Sequence, residues 1–377
     1  MMRALFEFHN RPLLFEHPRR LIHCGSAGEL GSCFERVEQA LAEGHYVAGF
    51  LSYEAGYALE PALGHLQGDD FPLMYLGVFD APARRRLPLP EAPFEVSGLT
   101  TNISRQDYTC AIARIHDHIR EGNVYQITYC LKNLFGFRGS AYSLYRHLLS
   151  RQPVPYPAYL ETSAHTILSL SPEMFIRKTG AHVQVKPMKG SWPRSGRTLG
   201  GVDDIFGGMR LHFDRKNRAE NVMIADLLRN DLGRVGAGVR TPRLFEVAAY
   251  RTIFQMTSTV EARIPPDLAF IDLFRAIFPS GSVTGAPKVR AMGIIHGLER
   301  EPRRIYTGAI GWITPERDVF FNVPIRTLLL RRDRGEMGVG GGIVWDSTAE
   351  GEWAEGLWKS LFLRAAVRAP CSGGRSS

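Results

Sequence analysis

Cysteine is scarce in this 377-residue chain and follows no recognisable pattern. The five cysteines form no C-x-x-C pair and are widely spread, at Cys24, Cys33, Cys110, Cys130 and Cys371. An odd number at such spacing argues against a disulfide framework and against a cysteine-based zinc site. It is the usage typical of a reducing compartment, so we expect a cytoplasmic protein.

Long uncharged apolar runs are also missing. No segment approaches the roughly 20 residues that a membrane helix needs, and residues 1–20 are interrupted by charges and prolines, which excludes a signal peptide's apolar core. The 46 basic and 38 acidic residues leave a net charge of +8. The arginines are scattered and do not interleave with stacking aromatics, which disfavours nucleic acid as a partner. We therefore expect no membrane and no nucleic-acid partner.

Hydrophobic residues make up 44% of the chain and charged residues 22%, as in soluble globular proteins with a sizeable core. Apolar periodicity predicts helices at 106–121, 141–149, 217–233, after Pro287 and at 349–366. It predicts strands at 46–57, 73–79, 124–131, 167–170, 183–185, 307–313 and 319–330. The five glycines of segment 194–208 indicate a loop near a site. Helices and strands do not alternate strictly, which favours an α+β architecture over a doubly wound sheet.

Three glutamates have the chemistry of a site for a hard divalent cation. Glu352 and Glu355 lie three residues apart on the last predicted helix, so their carboxylates project from one face. Glu220, at the start of another predicted helix, offers a third carboxylate. On spacing alone, a solvated helix face explains such a pair more often than a metal does.

Two glycine-containing segments and one lysine have the composition of ligand sites. The run 340–342 lets backbone amides approach a ligand closely, although a β-bulge or tight turn is the alternative. Segment 280–288, SGSVTGAPK, leads into a helix whose free amides attract anions. Lys189, in KPMKGSW, is a nucleophile if burial lowers its pKa and an ordinary surface lysine otherwise.

Taken together, these segments resemble the chorismate-utilising enzymes over residues 107–359, and most closely the aminodeoxychorismate synthase branch. The matching stretches are SPEMF (171–175), PMKGS (187–191), RAENVMIADLLRNDLG (218–233), SGSVTGAPK (280–288), YTGAIG (306–311), IRT (325–327) and residues 340–347. The resemblance implies an α+β unit in which two packed antiparallel sheets form the core and helices cover the outside. We expect an N-terminal region, 1–100, that packs onto the same unit, and a chorismate-binding catalytic region, 101–366. The terminal position of residues 367–377 predicts a disordered tail.

The resemblance also implies a role for each site residue. Mg²⁺ is expected on the three glutamates, and the substrate-binding residues are expected to be Gly190, Ser191, Ser282, Thr284, Tyr306, Arg326, Gly340, Gly341, Gly342 and Lys359. Lys189, which is alanine in anthranilate synthases, is expected to attack C2 of chorismate. Glu173 is expected to protonate the departing C4 hydroxyl, which requires a pKa raised by burial.

Two glutamines separate this chain from other branches of the family. Isochorismate and salicylate synthases, which resemble this chain in the same region, have a water-activating lysine at the position of Gln126. An amide cannot act as that base. Gln255 stands where a histidine linked to pyruvate elimination often occurs. The first disfavours hydroxylation, and the second fits a product that keeps its enolpyruvyl group.

The resemblance therefore implies amination of chorismate at C4 to 4-amino-4-deoxychorismate, towards 4-aminobenzoate and folate. No G-x-C-x-G glutaminase motif surrounds any cysteine. We expect a separate glutamine amidotransferase subunit to supply ammonia and a separate lyase to act on the product. The alternatives are anthranilate synthase component I and a non-catalytic chorismate-binding subunit, although the second has no need of Lys189, Glu173 and all three metal-site glutamates.

Overall fold

The computed structural model describes residues 2–66, 68–193, 202–249 and 253–367. Its strands are β1 (Arg3–Phe6), β2 (Leu13–Glu16), β3 (Arg20–Cys24), β4 (Tyr46–Leu51), β5 (Met74–Phe79), β6 (Phe94–Thr101), β7 (Gln126–Gly139), β8 (Tyr156–Glu161), β9 (Thr166–Ser171), β10 (Met174–Thr179), β11 (His182–Lys186), β12 (Met188–Pro193), β13 (Ala237–Ala249), β14 (Ile253–Arg263), β15 (Gly285–Ala286), β16 (Ala309–Ile313), β17 (Val319–Asn322), β18 (Thr327–Arg331) and β19 (Arg334–Ile343). Its α-helices are α1 (Leu30–Ala42), α2 (Ala55–Leu59), α3 (Arg105–Arg120), α4 (Ala141–Arg151), α5 (Val202–Phe213), α6 (Arg215–Gly233), α7 (Phe270–Ile277), α8 (Lys288–Leu298), α9 (Ala349–Lys359) and α10 (Leu361–Val367).

The described strands form two large antiparallel sheets. The first has the order β15-β7-β19-β18-β9-β8-β1-β2, with β6 also paired to β7. The second has the order β12-β14-β11-β10-β17-β16-β4-β5-β3, with β13 also paired to β14. Early strands pair with late ones in both sheets, since β1 pairs with β8 and β4 with β16. The N-terminal strands are thus hydrogen-bonded into the same sheets, while the boundary at residue 100 stays a prediction.

An aromatic-rich apolar layer lies between the sheets, and helices lie outside them. Phe6 of the first sheet and Trp312 of the second are both buried, with ring centroids 5.0 Å apart. Helices α1, α6 and α7 pack on the outer face of the second sheet, and α3, α4, α8 and α10 pack on that of the first. The expected α+β fold, with two packed antiparallel sheets and helices outside, is confirmed.

Local sequence signals set several helix ends as expected. Helix α3 buries Tyr108, Ile112 and Ile115 on one stripe, which is the predicted apolar periodicity. The Ser104 hydroxyl accepts a hydrogen bond from the amide three residues later, at 3.1 Å, and caps the first turn. Gly122 follows with a φ of +74°, a conformation that favours glycine after a helix.

Four local predictions are wrong because tertiary packing overrides the pattern. The expected strand 319–330 is two strands, β17 in the second sheet and β18 in the first, since the chain crosses between sheets at 323–326. The expected helix 349–366 is interrupted at Ser360, which accepts a hydrogen bond from Asn133. The expected strand 46–57 ends at Leu51, and α2 follows it.

The fourth concerns the glycine-rich segment, of which residues 202–208 are helical in α5 rather than a loop. Residues 194–201 lie outside the described residues. The predicted tail also lies outside them, except for Val367, which ends α10. Within the described ranges, no helix combines the length and the apolar character needed to cross a membrane.

Candidate active site

A cavity of about 570 Å³ brings together most of the residues that the sequence singles out. Its walls come from segments far apart in the chain, namely β12, β19, α6, α9 and the loops before β10 and β18. The predicted site residues that line it are Glu173, Lys189, Gly190, Glu220, Ser282, Tyr306, Arg326, Gly340, Gly341, Gly342, Glu352, Glu355 and Lys359. The fold therefore gathers both proposed catalytic groups and all three proposed metal ligands around one space.

Two of the predicted binding residues are not placed on the cavity wall. Thr284 is fully buried, and its hydroxyl donates a hydrogen bond to the Ser280 carbonyl oxygen at 3.1 Å. It thereby supports the 280–284 loop from inside. The backbone of Ser191 belongs to β12, but its side chain lies outside the described part of the structure.

Glu173 is a buried carboxyl group held in a network of hydroxyls. The Ser171 hydroxyl accepts a hydrogen bond from the Glu173 amide at 3.1 Å and fixes the turn before β10. The Ser282 hydroxyl donates to Glu173 Oε1 at 2.6 Å. Burial raises the pKa of Glu173 to about 7, although the Ser282 hydrogen bond and the charge of Lys189 oppose this. A carboxyl with this pKa can hold and release a proton near neutral pH.

Lys189 lies on β12 beside Glu173 and faces the same cavity. Gly190, which follows it, has a φ of +93°, a conformation that other residues rarely adopt. Desolvation lowers the pKa of Lys189, while the charges of Glu220 and Glu173 act in the opposite direction. The lowered pKa increases the neutral fraction of the amine, which is the nucleophilic form.

All three glutamates of the predicted metal site line the cavity. Two of them lie close to Gly341. A Cβ atom added to this glycine would lie 2.7 Å from Glu352 Oε2 and 4.0 Å from Glu355 Oε1. Burial raises the pKa of both Glu220 and Glu352. Burial also acts to raise the pKa of Glu355, but the Lys359 ammonium, 2.7 Å away, leaves it lowered overall.

These carboxylates have the oxygen chemistry that Mg²⁺ prefers. Glu352 accepts a hydrogen bond from the Ser347 hydroxyl at 2.7 Å, and Glu355 is paired with Lys359. As the side chains stand, no group of three or more His, Cys, Asp or Glu residues in the described ranges is close enough to hold a metal ion. The three carboxylates are therefore ligands of the chemical type that Mg²⁺ prefers, and they line the same cavity. Mg²⁺ binding itself stays a prediction.

Cations and open backbone lie on the cavity wall together with these acids. Arg326 takes a φ of +50° at the crossing between the sheets, so tertiary structure positions the guanidinium that the sequence indicated. The Lys359 amine donates to the Gly340 carbonyl oxygen at 2.7 Å. Sequence reasoning missed Lys216 and Asn217, which also line the cavity. Their position just before the matched segment 218–233 was the available signal.

The triple glycine is part of a regular strand rather than a bulge or tight turn. Residues 340–342 of β19 pair in unbroken register with β7. A Cβ atom on Gly340 would lie 2.4 Å from the Tyr129 carbonyl oxygen, which no side chain can tolerate without backbone movement. The glycines thus let β19 pass close to β7 and to the cavity groups at once.

Two buried glutamines stand at the same site. Gln126 is fully buried, and within the described residues neither atom of its amide group has a hydrogen-bond partner. Gln255 is almost fully buried and lines the cavity, and its Oε1 likewise has no partner among those residues. No histidine is among the described residues that line the cavity.

Comparison with known proteins assigns the chain to a family. Residues 80–364 match the family of chorismate binding enzymes. Aminodeoxychorismate synthase component 1 of Klebsiella aerogenes is 37% identical over 261 residues, which are 69% of this chain and 57% of that protein. Anthranilate synthase component 1 of Streptomyces coelicolor (strain ATCC BAA-471 / A3(2) / M145) is 35% identical over 274 residues, 72% of this chain and 53% of that protein. The matched part thus spans little more than half the length of these relatives.

A solved structure shares the whole fold. Anthranilate synthase component I from Streptococcus pneumoniae TIGR4 superposes with a TM-score of 0.77 at 23% identity, covering 97% of this chain and 90% of that one. The chain belongs to the chorismate binding enzyme family. The branch that the motifs indicate is supported as well, by the similarity to aminodeoxychorismate synthase component 1.

Proposed function

We propose that this protein converts chorismate and ammonia into 4-amino-4-deoxychorismate and water. The observation that carries the proposal is a lysine at position 189 with a lowered pKa, in the same cavity as Glu173 with a raised one. A neutral amine and a protonated carboxyl are the nucleophile and the acid that this substitution needs. An alanine at position 189 would offer no nucleophile.

Chorismate is a dianion, and the cavity wall carries both cations and carboxylates. Arg326 provides a planar fork for one substrate carboxylate, and the open backbone at 340–342 allows close approach of amides. Glu220, Glu352 and Glu355 would hold Mg²⁺, which when bound would neutralise the ring carboxylate of the substrate.

The reaction then follows from two side chains. The Lys189 amine forms a bond to C2 of chorismate, both ring double bonds shift by one position, and the C4–O bond breaks. Glu173 gives its proton to the departing oxygen, so that water leaves. Ammonia next bonds to C4, both double bonds shift back, and the C2–N bond to Lys189 breaks. The proton that ammonia loses returns to Glu173, which restores the acid.

Ammonia is the second substrate, and we propose that a separate glutamine amidotransferase supplies it. The name component 1 of the Klebsiella aerogenes relative supports a second component. A separate lyase would convert the product to 4-aminobenzoate, towards folate, in the cytoplasm. None of the chain's five cysteines stands in a glutaminase motif, which agrees with this division of tasks.

The proposal is tested by incubating the protein with chorismate, Mg²⁺ and ammonium and measuring product mass with and without an added lyase. Lys189→Ala is expected to lose turnover by a factor of about 10² or more while it still binds chorismate. Lys186→Ala is the matched control, because Lys186 pairs with Glu246 away from the cavity. Unchanged turnover in Lys189→Ala would remove the nucleophile from the mechanism.

The second candidate is an anthranilate synthase component I, because a relative of that name is 35% identical. That activity would release pyruvate and form a fluorescent aromatic product without a lyase. Gln255 opposes it, since an amide lining the cavity cannot move protons as a histidine does. Product mass in the same assay decides between the two activities.

A further inference from the structure

Glu54 is a buried carboxyl group that holds two consecutive backbone amides. It follows β4 and lies before residue 80, where the family match begins. Its Oε1 accepts a hydrogen bond from the Arg303 amide at 2.7 Å, and its Oε2 accepts one from the Arg304 amide at 3.0 Å. The Tyr53 amide donates to the Arg304 carbonyl oxygen at 2.8 Å. These three hydrogen bonds join segments that are about 250 residues apart in the chain.

The loop that Glu54 holds has an unfavourable backbone conformation. Arg304 has a φ of +57° and Thr307 has a φ of +62°. Residues other than glycine rarely adopt positive φ, and a β-branched residue does so only where surrounding contacts impose it. The Thr307 amide donates to the Pro324 carbonyl oxygen at 3.1 Å, which fixes one end of the loop. Glu54 fixes the other end.

Between these two fixed points the loop carries Tyr306 to the cavity wall. Tyr306 lines the cavity and is buried. Its ring lies against Gly338 of β19, where an added Cβ atom would lie 2.2 Å from the Cγ atom of the ring. Such close packing leaves the ring little freedom, so its position follows that of its own backbone. A shift of the 303–304 amides would therefore displace Tyr306 from the place where it is proposed to contact the substrate.

We infer that Glu54 is a positioning residue for chorismate binding, which acts on Tyr306 through the backbone of residues 303–304. Glu54 is not among the described residues that line the cavity, so its effect is indirect. The inference rests on the proposed function, because chorismate is the ligand that this cavity is proposed to bind. Lys189 and Glu173 come from other segments of the chain, so loss of the Glu54 contacts is expected to weaken substrate binding more than the chemical step.

Glu54→Gln tests this inference, because the change keeps the size and shape of the side chain. An amide group has one oxygen acceptor, and its nitrogen would meet the second backbone N–H donor to donor, so one of the two hydrogen bonds is lost. With Mg²⁺ and free ammonium, the KM for chorismate is expected to rise about 10-fold and kcat to change by less than about 3-fold. The dissociation constant of chorismate, measured by isothermal titration calorimetry, should rise by the same factor as KM.

This division between KM and kcat separates positioning from a purely structural role. A variant that is only less stable has a smaller folded fraction, which lowers the apparent kcat and leaves KM unchanged. In a Tyr306→Ala background, Glu54→Gln is expected to change the chorismate KM by less than about 2-fold, because the group that Glu54 positions is absent. An undiminished rise in KM in that background would contradict action through Tyr306.

Glu60→Gln is the matched control. Glu60 also accepts a hydrogen bond from a backbone amide, that of Ala62 at 3.3 Å, but this contact is exposed and lies outside the cavity. Its chorismate KM should equal that of the wild type.

An unchanged chorismate KM and dissociation constant in folded Glu54→Gln would overturn the inference alone. If Glu54→Gln does not fold, the same measurements on Glu54→Asp decide, since this variant keeps the charge on a side chain too short to reach both amides. A wild type that binds chorismate but forms no aminated product would overturn the proposed function alone, because the dissociation constants still decide the inference. A wild type that does not bind chorismate would overturn both.

Discussion

Arg303 is a buried cation beneath the cavity, and its removal is expected to cost much of the protein's stability. Its guanidinium uses all five N–H donors. Two of them form a fork with Glu299, at 2.9 and 2.7 Å. The others donate to the Val283 and Thr128 carbonyl oxygens, both at 2.7 Å, and to the Thr307 hydroxyl at 3.3 Å. Val283 and Thr128 line the cavity, so Arg303 links two segments of the cavity wall.

The magnitude follows from what the change leaves behind. Arg303→Met keeps most of the side-chain volume, so no large void opens. It leaves Glu299, whose side chain is 7% exposed, as an unpaired buried carboxylate. Removing one partner of a buried ion pair costs about 3–5 kcal/mol. Two buried carbonyl oxygens also lose their hydrogen-bond donors. We therefore expect the free energy of unfolding to fall by about 5 kcal/mol, near the upper end of that range.

Urea unfolding followed by tryptophan fluorescence measures this loss as a change in the free energy of unfolding. Arg300→Met is the matched control, since Arg300 pairs with Asp107 at the surface and such a pair contributes only about 0–1 kcal/mol. The double variant Arg303→Met/Glu299→Met should recover about half of the loss, because it removes the unpaired charge. If Arg303→Met lowers the free energy of unfolding by less than about 1 kcal/mol, the Arg303–Glu299 pair does not stabilise the protein as argued.

Two further predictions concern the chemistry. kcat/KM should fall as pH rises through about 7, because burial raises the pKa of Glu173 to about 7 and only its protonated form donates. Glu173→Gln should lower kcat by about 10²–10⁴. An unchanged alkaline limb of the pH profile in that variant would reject Glu173 as the acid. Chelation of divalent ions should abolish turnover. Glu355→Gln should raise the Mg²⁺ concentration that gives half-maximal activity by about 10-fold or more. Activity that persists in the presence of a chelator would contradict the metal site.

Most of the predicted site residues line one cavity, whose shape could not be predicted from the sequence. The glutamates at 352 and 355 are three residues apart on a helix, so their shared face was readable from spacing. That Ser282 donates to Glu173 while Thr284 turns inward was not readable, because both lie in one short loop with similar side chains. The support from Arg303 was missed as well, since its partners are distant in sequence and no motif marks it.

Sequence by itself determined the class of this protein, because several long motifs resemble those of one family. Apolar periodicity added which residues are buried. The sequence also selected Lys189, Glu173 and the three glutamates as candidate site residues. Only tertiary structure decided that the strand predicted at 319–330 divides between two sheets, with Arg326 at the crossing. It also decided that the side chains of Gln126 and Lys189 both lie close to Gly342. Such placements depend on contacts between segments more than a hundred residues apart, for which local sequence carries no signal.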